Sequence, residues 1–312
     1  MRRYVILAAA LSLAVLGGCA ADPDPASGSG IGVVATTTQV GSIAAEVGGD
    51  DIELTVLLSP GVEAHDYEMT PSAAAAIEDS ELVLRSGAGL ESWLDEALAT
   101  IGGEANLRDM SVGIDLLEPA GPQDEDGHEE EERAVDPHYW LDATRAIRMV
   151  ENVRDALIDA SPTDEPAFME RAAELIARLE TADAEIKALI GEIPAADRAI
   201  VTNHDALGYF IDAYGLRFVG SIFPSLDVAS EPSAGELAAL IETIRGEDVR
   251  AIFSESAVNP DLARAIAAET DAAVVEDPLY TDALGPPGSG AETLDGMLLH
   301  NARVIHEALT GA

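Results

Sequence analysis

Residues 164–193 read DEPAFMERAAELIARLETADAEIKALIGEI. Within them Phe168, Ala172, Leu175, Leu179, Ile186 and Ile190 recur at roughly helical spacing, with no glycine or proline between Pro166 and Gly191. Thr163, Asp164 and Glu165, followed by Pro166, supply capping and first-turn chemistry, and Gly191 with Pro194 ends the run. About 25 helical residues extend nearly 40 Å at the standard rise of about 1.5 Å per residue. A single long helix, and not a pair of flexible strands, therefore joins what lies on either side of it.

Outward from this helix the chain alternates short β-rich runs with amphipathic stretches, the pattern of α/β units with mainly parallel sheets. On the N-terminal side, strands are predicted near 31–35, 52–58, 82–86 and 106–109, with helices near 40–47, 72–78 and 90–99. On the C-terminal side, strands near 199–202, 217–221, 251–253 and 273–275 alternate with helices near 206–214, 235–245, 260–269 and 291–309. The expected architecture is two similar lobes, each a mainly parallel sheet flanked by helices, joined by one long helix. The divisions are 31–162 for the N-terminal lobe, 163–193 for the linking helix and 194–312 for the C-terminal lobe.

Residues 1–19 read as a targeting signal. Arg2 and Arg3 precede a mostly apolar stretch too short to span a bilayer, which takes about 20 residues. The segment ends in Leu16-Gly17-Gly18-Cys19, which resembles the lipobox of bacterial lipoproteins, and Cys19 is the only cysteine, so no disulfide can form within the chain. Residues 20–30, rich in Pro, Gly, Ser and Asp, read as a flexible tether. The folded part is thus expected outside the cytoplasmic membrane and lipid-anchored to it.

With 312 residues, 47% of them hydrophobic, the chain can bury a substantial core. Its 58 Asp and Glu against 17 Lys and Arg, with Lys187 the only lysine, give a formal net charge of -41. Such a surface repels nucleic-acid phosphates and attracts cations, but an acidic composition alone identifies no metal site. Residues 119–134, PAGPQDEDGHEEEERA, concentrate carboxylates around His128 with no apolar periodicity and read as a mobile, solvated loop.

Of the six histidines, three fall in loops beside predicted elements: His65 in PGVEAHDYEMTP, His138 in DPHYWLD just before a helix, and His204 in VTNHDALGYF. Loops at the carboxyl ends of parallel strands are where α/β folds place ligands, so His65 and His204 hold analogous positions in the two lobes. Each precedes an aspartate, Asp66 or Asp205, which could accept from the ring's second nitrogen and fix the tautomer of a metal ligand. Glu255, in IFSES, is a strand-end carboxylate that could replace a ligand, stand behind one, or do neither. His300 and His306 lie on different faces of the last predicted helix and read as structural. Trp93 and Trp140 read as packing residues, Trp140 near enough to report ligand binding by fluorescence.

Over residues 31–310 the chain resembles the zinc and manganese solute-binding lipoproteins of ABC importers. PGVEAHDYEMTPS (60–72) looks like that family's first metal motif, DPHYWLD (136–142) the second, NHDALGYFIDAYGL (203–216) the third, and YTDALGPPGSGAETLDGMLLHN (280–301) its C-terminal segment. The resemblance implies a metal held by His65, His138, His204 and Asp282, and delivery to a membrane permease with its ATPase by a monomer. A metallochaperone is a further partner it admits. Three imidazoles and a carboxylate suit tetrahedral zinc without thiolates. Manganese is the alternative, although relatives favouring it tend to replace the third histidine by a carboxylate. A zinc hydrolase would need an open coordination position and a general base, and no HExxH, GxSxG or P-loop occurs. A surface adhesin is the remaining alternative. The glycines of residues 285–290 predict that Asp282 has the most mobile setting of the four ligands.

Overall fold

The computed structural model describes residues 30–65, 67–101, 106–119, 135–223, 232–256 and 258–311. Cys19 with the signal segment, the tether up to residue 29, Asp66, and residues 120–134 with His128 lie outside the described residues.

The N-terminal lobe runs β1 (Ile31–Ala35), α1 (Thr38–Gly48), β2 (Ile52–Val56), α2 (Pro71–Asp79), β3 (Leu82–Arg85), α3 (Ser92–Ile101) and β4 (Leu107–Asp109). Two helices, α4 (Ala143–Ala160) and α5 (Glu165–Glu192), follow. The C-terminal lobe then runs β5 (Ala199–Thr202), α6 (Gly208–Tyr214), β6 (Arg217–Ser221), α7 (Ala234–Gly246), β7 (Ala251–Glu255), α8 (Asp261–Ala268), β8 (Ala273–Leu279) and α9 (Leu294–Thr310). Local chemistry accounts for the helix starts. The side chains of Thr37, Thr70, Asp142 and Thr293 each accept from a first-turn amide, and Ser233 and Glu236 complete a capping box on α7.

All the strand pairings are parallel, and the orders are β2-β1-β3-β4 and β6-β5-β7-β8. The two lobes thus share one topology. In each, the chain moves first to one side of the opening strand and then to the other, so a crevice opens at the carboxyl ends of β1 and β3, and again at those of β5 and β7. Among the described residues no helix is long and apolar enough to cross a membrane.

The predicted joining helix is α5, 28 residues long, with Phe168, Ala172, Leu175, Leu179, Ala182, Ile186 and Ile190 buried. It does not stand alone between the lobes. The helix expected after DPHYWLD is α4, whose 18 residues lead through a turn at Pro162–Asp164 back along α5. Helices α1 and α9, from opposite lobes, also pack on α5. One apolar core consequently contains Val33 and Leu84 of the first sheet, the inward faces of α4 and α5, Phe253 of the second sheet and Leu298 of α9. Smaller cores fill the far side of each sheet, as expected for parallel sheets covered on both faces. Arg178 reaches both Glu46 on α1 and Asp295 on α9. Such exposed pairs contribute about 0–1 kcal/mol each, so the shared apolar core is what fixes the lobes to the helix.

Candidate metal centre

His65 lies in the loop after β2, His138 immediately before the 3₁₀ turn Tyr139–Leu141, His204 just after β5 and Asp282 after β8. One donor atom from each of these four lies within 4.8 Å of all the others. The His65 and His138 Nε2 atoms are 3.2 Å apart, Asp282 Oδ1 is 3.0 Å from His138 Nε2 and 3.9 Å from His65 Nε2, and Asp282 Oδ2 is 3.2 Å from His204 Nε2. The side chains of His138, His204 and Asp282 are fully buried, while that of His65 is 13% exposed. The cluster therefore opens to solvent along the His65 edge.

The DPHYWLD segment is built around this arrangement. Asp136 Oδ1 accepts the His138 backbone amide at 2.9 Å and lies 2.7 Å from its Nδ1, which leaves Nε2 facing the cluster. The Tyr139 hydroxyl donates to the Ser86 carbonyl at 2.7 Å, Trp140 Nε1 donates to the Thr281 carbonyl at 2.9 Å, and Asp142 caps α4. Gly208 belongs to the same construction, because a Cβ there would lie 2.6 Å from Asp136 Oδ2.

Behind His204 stands Glu255. One of its oxygens accepts the amides of Asn203 and His204, both at 3.0 Å, and the other lies 2.7 Å from His204 Nδ1 and accepts from Thr281 Oγ1 at 2.8 Å. With both oxygens so engaged, Glu255 faces the rear of His204 and not the cluster. Asp205 is buried beside it, but the carboxylate opposite Nδ1 is that of Glu255. Sequence reasoning missed Asp136 and Glu63, the carboxylates two residues before His138 and His65; Glu63 Oε1 accepts the His65 amide at 3.2 Å. The repeated spacing, Glu63-Ala64-His65 and Asp136-Pro137-His138, was the signal available in the sequence.

Charge is concentrated here. Burial pulls the His138 pKa down, but Asp136 and Asp282 more than offset it and raise the value to about 9. Burial likewise opposes protonation of His204, and Glu255 and Asp282 overcome it, so its pKa stands well above the usual imidazole value. Asp282 would be raised by burial, yet the two imidazoles hold it well below the usual carboxylate range. Burial, and then the charge of Asp282, push Glu63 up to about 7.

Tertiary hydrogen bonds flank Asp282 on both sides. Gln39 Nε2 donates to the Thr281 carbonyl at 3.0 Å, Thr38 Oγ1 accepts the Leu284 amide at 2.8 Å, and Asn301 bonds both the amide and the carbonyl of Tyr280. Among the described residues the other two histidines pair elsewhere: His300 Nε2 lies 3.0 Å from the Pro278 carbonyl and His306 Nε2 lies 3.1 Å from Glu192.

Known proteins resemble this chain over nearly its whole length. The chain is 29% identical over 309 residues to the manganese-binding lipoprotein MntA of Halalkalibacterium halodurans, covering 98% of this chain and 97% of that one. It is 26% identical over 306 residues to the manganese ABC transporter substrate-binding lipoprotein PsaA of Streptococcus mitis, with 96% of each chain covered. The structure of the periplasmic zinc-binding protein TroA from Treponema pallidum superposes with a TM-score of 0.80 at 28% identity, covering 90% of this chain and 99% of that one. These relatives are named as metal-binding proteins, not as enzymes. A family model described as zinc-uptake complex component A, periplasmic, matches residues 33–308, and because that span includes both sheets, the long helix and all four clustered side chains, the chain belongs to this family.

Proposed function

We propose that this chain captures one zinc ion outside the cytoplasmic membrane, through His65, His138, His204 and Asp282, and delivers it to the permease of an ABC importer driven by a cytoplasmic ATPase. The observation that carries the reading is the set of donor separations. A tetrahedral zinc with bonds of about 2.0 Å has donor-to-donor edges of about 3.3 Å, and the contacts in the cluster measure 3.0, 3.2, 3.2 and 3.9 Å. Nitrogen-rich donors favour zinc over harder divalent ions. Asp282 completes four donors in a buried site, which leaves no open position for an activated water and favours binding over hydrolysis. Cys19 would carry the lipid that keeps the protein at the membrane.

Manganese is the second reading, favoured by one observation: both oxygens of Asp282 face imidazole nitrogens, at 3.0 and 3.2 Å. A carboxylate so placed can bind through two oxygens and expand the shell. Elemental analysis of purified protein after exposure to equimolar zinc and manganese separates the two. The expected content is about one zinc per chain with manganese near background, as the affinity order of N/O sites dictates; manganese at stoichiometric level would reverse the assignment.

A further inference from the structure

Asp282 belongs to the C-terminal lobe, yet the backbone on both sides of it is held from the N-terminal half. The Thr281 carbonyl accepts from Gln39 Nε2 at 3.0 Å and from Trp140 Nε1 at 2.9 Å, and the Leu284 amide donates to Thr38 Oγ1 at 2.8 Å. The Thr38 hydroxyl in turn donates to Gln39 Oε1 at 3.1 Å, which orients the Gln39 amide toward Thr281. Thr38, Gln39, Trp140 and Thr281 are all buried, so no solvent is at hand to replace these bonds once broken. From Thr281 the network continues through Glu255 to the rear nitrogen of His204, at 2.8 and 2.7 Å.

We infer that Thr38 and Gln39, with Trp140, form a latch: positioning residues of one lobe that hold the metal-binding carboxylate of the other in place and so set how long the metal stays. The inference rests on the assignment of Asp282 as a metal ligand. The aspartate side chain has a single methylene, so its carboxylate cannot withdraw far without movement of residues 281–284. That movement breaks the Thr281 and Leu284 bonds. Thr38 and Gln39 are not among the four clustered donors, so the latch acts on release and leaves capture nearly unchanged.

Stopped-flow transfer of zinc from the loaded full-length protein to an excess of chelator tests this. Gln39→Met, which keeps the volume and removes the donor, is expected to raise the dissociation rate about tenfold while the association rate changes by less than about threefold, the usual division for altered contacts in a complex. Thr38→Val is expected to do the same, and Thr38→Ser to restore slow release. Amide exchange at residues 282–284 of the zinc-loaded protein should rise in both accelerated variants, which a general loss of stability confined to other elements would not produce. Wild-type dissociation from both Gln39→Met and Thr38→Val, with fast release from Asp282→Ala, would overturn the latch and leave the ligand intact; wild-type dissociation from Asp282→Ala would instead overturn the ligand assignment beneath it.

Discussion

Replacing His138 with alanine is expected to lower zinc affinity by on the order of a hundredfold or more, since loss of a residue that merely supports a ligand already costs about 10–100-fold. Each factor of ten corresponds to about 1.4 kcal/mol. The side chain is fully buried, and its Nε2 lies within 3.2 Å of both His65 Nε2 and Asp282 Oδ1. Asp136→Asn should have a smaller effect in the same direction, because the ring remains but loses the carboxylate that orients it. Calorimetry with a competing chelator measures both. Unchanged affinity in His138→Ala would remove this residue from the metal shell, and an Asp136→Asn loss larger than that of His138→Ala would contradict the division of roles.

Acidification should release the metal over the physiological range. In the metal-free fold His138 holds its proton up to a pH of about 9, and His204 is raised in the same direction. A metal takes the lone pair of Nε2, so each of these protons must leave when it binds, whereas Asp282, with its depressed pKa, is already ionised. Affinity therefore falls as the pH drops below about 9, by about tenfold per unit for each proton displaced. Between pH 8 and pH 6 the loss should be at least about a hundredfold. Calorimetry in buffers of different ionisation enthalpy should find roughly two protons released per zinc near pH 7; release of less than about half a proton would show that the imidazoles are neutral before binding. Stability carries the opposite sign. The raised pKa of His138 stabilises the metal-free protein fully below about 6.5, and this contribution is lost as the pH rises through about 9. The increase in melting temperature on adding zinc should accordingly be larger at pH 8 than at pH 6.

Much of the architecture was legible because local chemistry and periodicity determine it. The eight strands lie within a few residues of their predicted places, and α5 agrees with the apolar spacing of residues 168–190, since burial along one face has a period that sequence displays directly. Helix α4 was legible only as a helix following DPHYWLD, with Asp142 as its N-cap; its 18-residue length and its packing along α5 depend on partners distant in sequence. His65, His138 and His204 were legible from their loops, and Asp282 only from the resemblance of its surrounding segment.

Sequence by itself determined which residues would be helical, which would be extended, and which side chains had the chemistry to bind a metal, because these depend on neighbours within a turn or two. Tertiary structure alone decided how those side chains are supported. Along the chain Asp205 was the carboxylate next to His204, yet the return of β7 beside β5 placed Glu255 opposite the rear nitrogen of His204. The glycines after Asp282 announced freedom, but Thr38, Gln39 and Trp140, at least 141 residues distant in sequence, hold the adjoining backbone. Such bonds have no period and no local signature. They exist because folding brings two lobes against one helix core and buries, at the seam, polar groups that must find partners there.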